Sequence, residues 1–236
     1  AIFTLINLIY GYFILPESLK KNNRRKFDIK RANPIGTLLS LRRYPIISGL
    51  LICIVLFNIA QHATHSTWTF FTIEKFNWSE DVVGYSLGFI GLLAAIVQGG
   101  LIRVIIPKLG NIKSVYFGMV FYILGLSLIS LAQESWMIFA FAIPLSLGGI
   151  SGPALQGIMT NNIPDDEQGE FQGGMTSLVS LTAIIGPLLM TNLFSYFTSE
   201  STYYYFPGAP FMLGAVLSVF GLVIAIKFLS GSKIKY

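Results

Sequence analysis

Long apolar runs separated by short polar stretches set the pattern of the whole chain. Six runs of roughly twenty mostly apolar residues lie at 46–71, 83–106, 114–131, 136–160, 175–197 and 211–229, after a shorter one at 1–15. About 30 Å of hydrocarbon crossed at 1.5 Å per residue needs roughly 20 such residues, with every backbone group satisfied inside the segment. The pattern therefore predicts six membrane-spanning helices. A transmembrane barrel would show apolar and polar residues alternating over roughly ten positions, and a soluble bundle would break the runs with charge; neither pattern is present. The expected fold class is all-α, polytopic in the membrane. The chain opens at Ala1 inside an apolar run, without initiator methionine, basic leader or cleavage site. It reads as part of a longer protein, with 1–15 closing a preceding helix.

The polar stretches carry the orientation. Residues 16–44 hold nine Lys and Arg, the turn after the second full run adds Arg103, Lys108 and Lys113, and the end adds Lys227, Lys233 and Lys235. These are fifteen of the sixteen basic residues, and only Lys75 falls on the other side. Positive residues near helix ends stay on the cytoplasmic face, so the linker, that turn and the C-terminus are expected there. The organisation that follows is a helix end at 1–15, a basic linker at 16–44, a six-helix bundle at 45–230 and a cytoplasmic tail at 231–236. The linker is a solvated topology signal or a site for anionic lipid or a partner.

Composition narrows the functional classes. The chain is 53% hydrophobic and 11% charged, against about 25% charged in soluble domains. A net charge of +5 does not point to nucleic acid, because the basic residues sit in the loops between spans. One cysteine, Cys53, excludes a disulfide framework within the chain and any multi-cysteine metal cluster, and two histidines leave little for another metal site. Phosphate loops, zinc-protease motifs and nucleophile elbows are absent, so the chain is not expected to be an enzyme.

Polar side chains within the spans are costly unless they face other helices or a water-filled cavity, and they mark candidate function. Asn58, Gln61, His62 and His65 stand at i, i+3, i+4 and i+7 on one face of the first full helix, with Thr69 continuing the stripe. One reading is a cavity wall that hydrogen-bonds a substrate, with an imidazole of His62 or His65 carrying a proton. The other is interhelical bonding, worth about 0.6 kcal/mol per bond. Gln98 reaches the same cavity or makes a structural bond, and Trp68 offers stacking area. All eleven Asp and Glu lie in loops or at helix ends, so a carboxylate for proton coupling is expected in an upstream part. Gly152-Pro153 and Gly186-Pro187 are either hinges or places where helices approach closely.

Several segments carry a family resemblance. Gly99-Gly100-Leu101-Ile102-Arg103 through Pro107-Lys108-Leu109-Gly110-Asn111-Ile112-Lys113 resembles the second-half loop signature of the major facilitator superfamily. Gly148-Gly149-Ile150-Ser151-Gly152-Pro153-Ala154-Leu155-Gln156, Glu167-Gln168-Gly169-Glu170-Phe171-Gln172-Gly173 and Ser180-Leu181-Thr182-Ala183-Ile184-Ile185-Gly186-Pro187-Leu188-Leu189 are similar to the C-terminal half of tetracycline-resistance-type efflux transporters. Leu15-Pro16-Glu17-Ser18 and Asn33-Pro34 extend the likeness through the linker. The resemblance implies twelve helices in two halves, with 1–15 the end of the sixth, and a six-helix N-terminal half upstream. It also implies rocker-switch alternating access, the bacterial inner membrane, and antiport with the proton as coupling ion and no other cofactor.

By the same resemblance Gly100, Arg103, Gly110 and Lys113 belong to the loop that locks the inward gate, and Gln156 faces the central cavity. Tetracycline pumps carry a histidine in the eighth helix and an aspartate in the ninth. Aligning Gly91-Leu92-Leu93 and Gly118-Met119 puts Ala94 and Tyr122 at those places. The expected function is proton-coupled efflux of a small amphipathic compound or drug. The alternatives are a carrier of a native metabolite or sugar, and a non-transporting membrane sensor or scaffold.

Overall fold

The computed structural model describes residues 2–14 and 44–230; most of the expected linker and all of the tail lie outside the described residues. Every regular element within them is helical. Helix α1, Ile2–Ile14, is uncharged along its length. Six helices long and apolar enough to cross a membrane follow. They are α2 (Pro45–Phe76), α3 (Glu80–Leu109), α4 (Asn111–Leu131), α5 (Ser135–Asn161), α6 (Asp165–Thr198) and α7 (Ala209–Ser230). All six expected runs are present.

The helices outlast the apolar runs because hydropathy registers the hydrocarbon boundary, whereas backbone hydrogen bonding continues into water. The expectation for α6 began at residue 175, yet regular helix begins at Gln168 after a short 3₁₀ turn, Asp165–Glu167. Local chemistry sets the ends. Pro45 occupies the first turn of α2, where its missing N–H costs nothing. Asn77 closes that helix in the left-handed region (φ 53°) and donates its N–H to the carbonyl of Ile73. Glu80 and Asp81 stand in the first turn of α3, favourably placed for the helix dipole. Gly110 turns the chain into α4 at φ 77°, ψ 160°, a conformation essentially restricted to glycine.

Two helices leave α geometry in mid-course. In α3, Val97–Leu101 form a π turn, and in α5, Gly148–Ile150 form a 3₁₀ turn. The two irregular turns touch each other. Pro187, by contrast, leaves α6 continuous.

Helices α2, α4, α5 and α7 make the packed centre; α6 lies along α2, and α3 packs mainly on α5. Burial follows this arrangement: 50% of the apolar window of α2 is buried and 44% of that of α7, against 6% in α3 and 17% in α6. Apolar side chains fill two clusters along the bundle. Leu50, Cys53, Met119, Leu155 and Phe171 form one toward the end bearing Lys108 and Lys113, and Trp68, Phe71, Leu126, Ile129 and Phe211 form the other.

Lipid tails are as apolar as leucine, so close fit rather than water exclusion holds such helices together. Glycine supplies the fit between α4 and α5. A Cβ on Gly118 would stand 2.6 Å from the Ser151 nitrogen, one on Gly125 2.5 Å from the Leu145 backbone, and one on Gly148 2.5 Å from the Tyr122 side chain. Polar ties close the ends. Tyr44 donates to Glu167 (2.9 Å) between the starts of α2 and α6, and Gln168 donates to the Thr160 and Ile163 carbonyls. At the opposite end Trp78 Nε1 donates to Ser135 Oγ (3.0 Å) and Tyr205 donates to Glu74 (2.8 Å).

Candidate functional site

A cavity of about 150 Å³ lies among α2, α3, α4 and α5. From α2 come Gln61 and His65, one turn apart, with Thr64 between them and Phe57 one turn earlier. Helix α3 supplies Ala94 and, from the π turn, Gln98. The extra residue of a π turn rotates the side chains that follow it, and such turns recur at functional sites. Helix α4 adds Tyr122, whose ring sits against Gly148 and lies 4.6 Å from Phe57, centroid to centroid. Helix α5 adds Ser146, just before its 3₁₀ turn, and Gly149 within that turn.

The structure divides the polar stripe of α2. Gln61 and His65 face this cavity together with Gln98, whereas Asn58, His62 and Gln156 are not among its lining. The Asn58 amide donates to the Ile54 carbonyl of its own helix, 2.9 Å away. The His62 ring is pressed against Gly186 of α6, and it meets His65 edge-on at 6.2 Å. Gln156 is exposed on α5. A helix face spans about a third of the circumference, enough for i and i+4 to enter one cavity while the intervening side chain meets a different neighbour.

Trp68 is a correction to the reading from sequence. It is 2% exposed, packs edge-on to Phe211 and donates its indole N–H to Ser86 Oγ at 3.0 Å. It belongs to the core. The cavity's aromatic walls are Phe57 and Tyr122 instead.

The glycine and proline positions separate into two kinds. A Cβ on Gly186 would collide with the His62 ring, so Gly186 serves close helix approach. Gly152 has open space around its missing Cβ, and Pro153 beside it is exposed. In the expected gating loop, Gly100 lies within the π turn, Arg103 and Lys113 are exposed, and Gly110 holds the turn at φ 77°.

Every acidic residue among the described ones lies in a loop or the first or last turn of a helix. No group of three His, Cys, Asp or Glu able to hold a metal ion occurs among the described residues. The cavity lining carries no carboxylate, ammonium or guanidinium. Its titratable members are His65 and Tyr122. Sequence reasoning missed Thr64 and Ser146. Thr64 stands three residues after Gln61, but which helix lies opposite a helical threonine is not written in the sequence around it.

A bundle of apolar helices with a polar cavity between its members is a multi-pass membrane protein. Residues 105–235 match the family model of the Major Facilitator Superfamily, and the chain belongs to that superfamily. It is similar to the class C tetracycline resistance protein of Escherichia coli, 32% identical over 217 residues, covering 92% of this chain and 53% of the relative. The class E protein of Escherichia coli is 35% identical over 217 residues, 92% of this chain and 52% of the relative. The class G protein of Vibrio anguillarum is 36% identical over 128 residues, 54% and 33% respectively. The chain thus spans about half the length of the first two of these curated relatives.

Proposed function

We propose that this chain is the C-terminal half of a secondary transporter that expels a small amphipathic compound from the cytoplasm in exchange for protons, by alternating access in a bacterial inner membrane. The observation that carries the reading is the cavity where the π turn of α3 meets the 3₁₀ turn of α5. Irregular backbone at membrane depth is tolerated where it lines a cavity or is buried in protein, and discontinuous helices form the binding sites of many carriers. At about 150 Å³ the cavity is smaller than the roughly 300–1,000 Å³ of drug-sized pockets. It is one wall of a larger site, completed by an N-terminal half against the exposed flanks of α3 and α6. His65 is the side chain of this wall proposed to carry the proton, because an imidazole can both accept and donate one.

Proton movement in inside-out vesicles containing the complete reading frame tests the reading. Under an imposed pH gradient, tetracyclines, fluoroquinolones, cationic dyes and simple sugars are added in turn. Collapse of the gradient by a drug is the expected result; silence across the panel, with folded protein in the membrane, favours a sensor or scaffold. Gln61→Leu should impair transport or shift substrate preference while insertion is unchanged. Unaltered transport across the whole panel would remove Gln61 from the site.

A second reading is a carrier of a native metabolite or sugar. It is favoured by Ala94 and Tyr122, which line the cavity at the places where the resemblance puts a histidine and an aspartate. Collapse of the gradient by a sugar alone would select it.

A further inference from the structure

The loop between α6 and α7, residues 199–208, is stitched to the ends of three helices. Tyr205 donates its hydroxyl to Glu74 of α2 at 2.8 Å, the Phe206 N–H donates to the Phe197 carbonyl of α6 at 3.0 Å, and Ser130 Oγ of α4 donates to the Gly208 carbonyl at 2.9 Å. Gly208 lies so close to the Ser130 backbone that a Cβ there would collide with it. The loop is fixed, yet Tyr203 is fully exposed and Tyr204 is 68% exposed.

The same ties set the depth of the loop. Phe197 closes the apolar run 175–197, Ser130 is next to last in the run 114–131, and Glu74 lies three residues, about 4.5 Å of helix, beyond the run 46–71. The backbone of Tyr203, two residues from Tyr205, stays within about 7 Å of that level. A headgroup layer extends about 5–7 Å beyond the hydrocarbon on each side. The two rings therefore stand where hydrocarbon gives way to headgroups.

Tyrosine joins an apolar ring to a hydroxyl tip and is enriched at that boundary. Among the described residues 44–230, every exposed Tyr and Trp (Tyr85, Trp136, Tyr196, Tyr203, Tyr204 and Tyr205) lies toward this end of the bundle, whereas Arg103, Lys108, Lys113 and Lys227 are exposed toward the other. Helix α3 packs on α5, while α6 and its loop lie along α2, so the rings mark a level around the bundle rather than one patch for a protein partner. Glu74, Glu80, Asp81, Glu134 and Glu200 stand at this end with Lys75 as the single cation among the described residues, which disfavours anionic headgroups.

We propose that the α6–α7 loop is an interfacial anchor, with the Tyr203 and Tyr204 rings at the acyl boundary and their hydroxyls among zwitterionic phospholipid headgroups. Through the ties to Glu74, Phe197 and Ser130 it holds the ends of α2, α6 and α4 at one depth.

The test uses the complete reading frame in liposomes of phosphatidylethanolamine and phosphatidylcholine, with Cys53 and any other native cysteine changed to alanine. A nitroxide is attached in turn at Tyr203→Cys, at Tyr204→Cys and, as the hydrocarbon reference, at Phe220→Cys, exposed near the middle of α7. Collisions with oxygen, which concentrates in hydrocarbon, and with a nickel chelate, which stays in water, are read at each position; free nitroxide in buffer gives the aqueous limit. At 203 and 204 the ratio of oxygen to nickel collisions is expected to fall between the value at 220 and the aqueous limit. A ratio at the aqueous limit would put the loop in water and overturn the anchor, and a ratio equal to that at 220 would overturn the headgroup contact. Exclusion of both reagents would mean that protein covers the rings, which overturns the lipid assignment.

Discussion

At residue 186 a hydrogen atom stands where any other side chain would begin, and the His62 ring fills that space. Gly186→Ala should therefore force the ring or α6 to shift, at a cost of about 1–3 kcal/mol, typical of overpacking. Unfolding of the whole protein in mixed micelles measures it. His62→Ala combined with Gly186→Ala should recover most of that loss, because the collision disappears with the ring; no recovery would mean that Gly186 serves the backbone instead. The sequence showed that Asn58, Gln61, His62 and His65 share a face, since 3.6 residues per turn are enough to know that. It did not show that Gln61 and His65 meet α3 and α5 while His62 meets α6, because that depends on which helices flank α2. Thr64 and Ser146 were not legible because whether a helical hydroxyl side chain meets a cavity depends on the helices opposite it.

Helix lengths and number follow from hydropathy, and all six spans were legible. The departures from α geometry were only half visible. The hinge expectation at Gly152-Pro153 falls just past the 3₁₀ turn of α5, and Gly99-Gly100, which carry the loop resemblance, lie within the π turn of α3. A π turn depends on how neighbouring helices crowd the backbone, and composition does not record that. The α3–α4 turn gives a sharper prediction. With Gly110 at φ 77°, ψ 160°, Gly110→Ala should cost about 1–3 kcal/mol through backbone strain alone, since nothing lies near the missing Cβ. Arg103→Ala in the same loop should slow turnover more than it weakens substrate binding, as measured by separate transport and equilibrium-binding assays. A loss of binding at unchanged turnover would contradict a gating role.

Across the whole molecule, hydrogen-bonded side-chain pairs tie elements together at both ends of the bundle. The Tyr205–Glu74 pair fastens the α6–α7 loop to the end of α2. Burial, the hydrogen bond to Glu74 and that carboxylate's charge together raise the Tyr205 phenol above its usual 10.0. A pKa raised by folding contributes stability that is full below the ordinary phenol value and is lost as pH rises through the higher one. Thermal stability should accordingly fall at strongly alkaline pH in wild type more than in Tyr205→Phe, and identical pH profiles would show that the tie carries nothing. Burial was not legible along the chain, because hydropathy is much the same in a central helix and in a flanking one. Only the folded arrangement shows α3 and α6 with most of their surface unpacked.

The glycine seam between α4 and α5 has a mechanical meaning. Two helices in close contact at three levels, Gly118 against Ser151, Gly125 against Leu145 and Gly148 against the Tyr122 side chain, have no slack in which to slide, since protein interiors resist compression. They act as a strut. If the protein cycles between shapes, the span from residue 118 to residue 151 is a built-in ruler. A pair of spin labels anchored beside it should report one constant distance while pairs reaching to α3 or α6 report two.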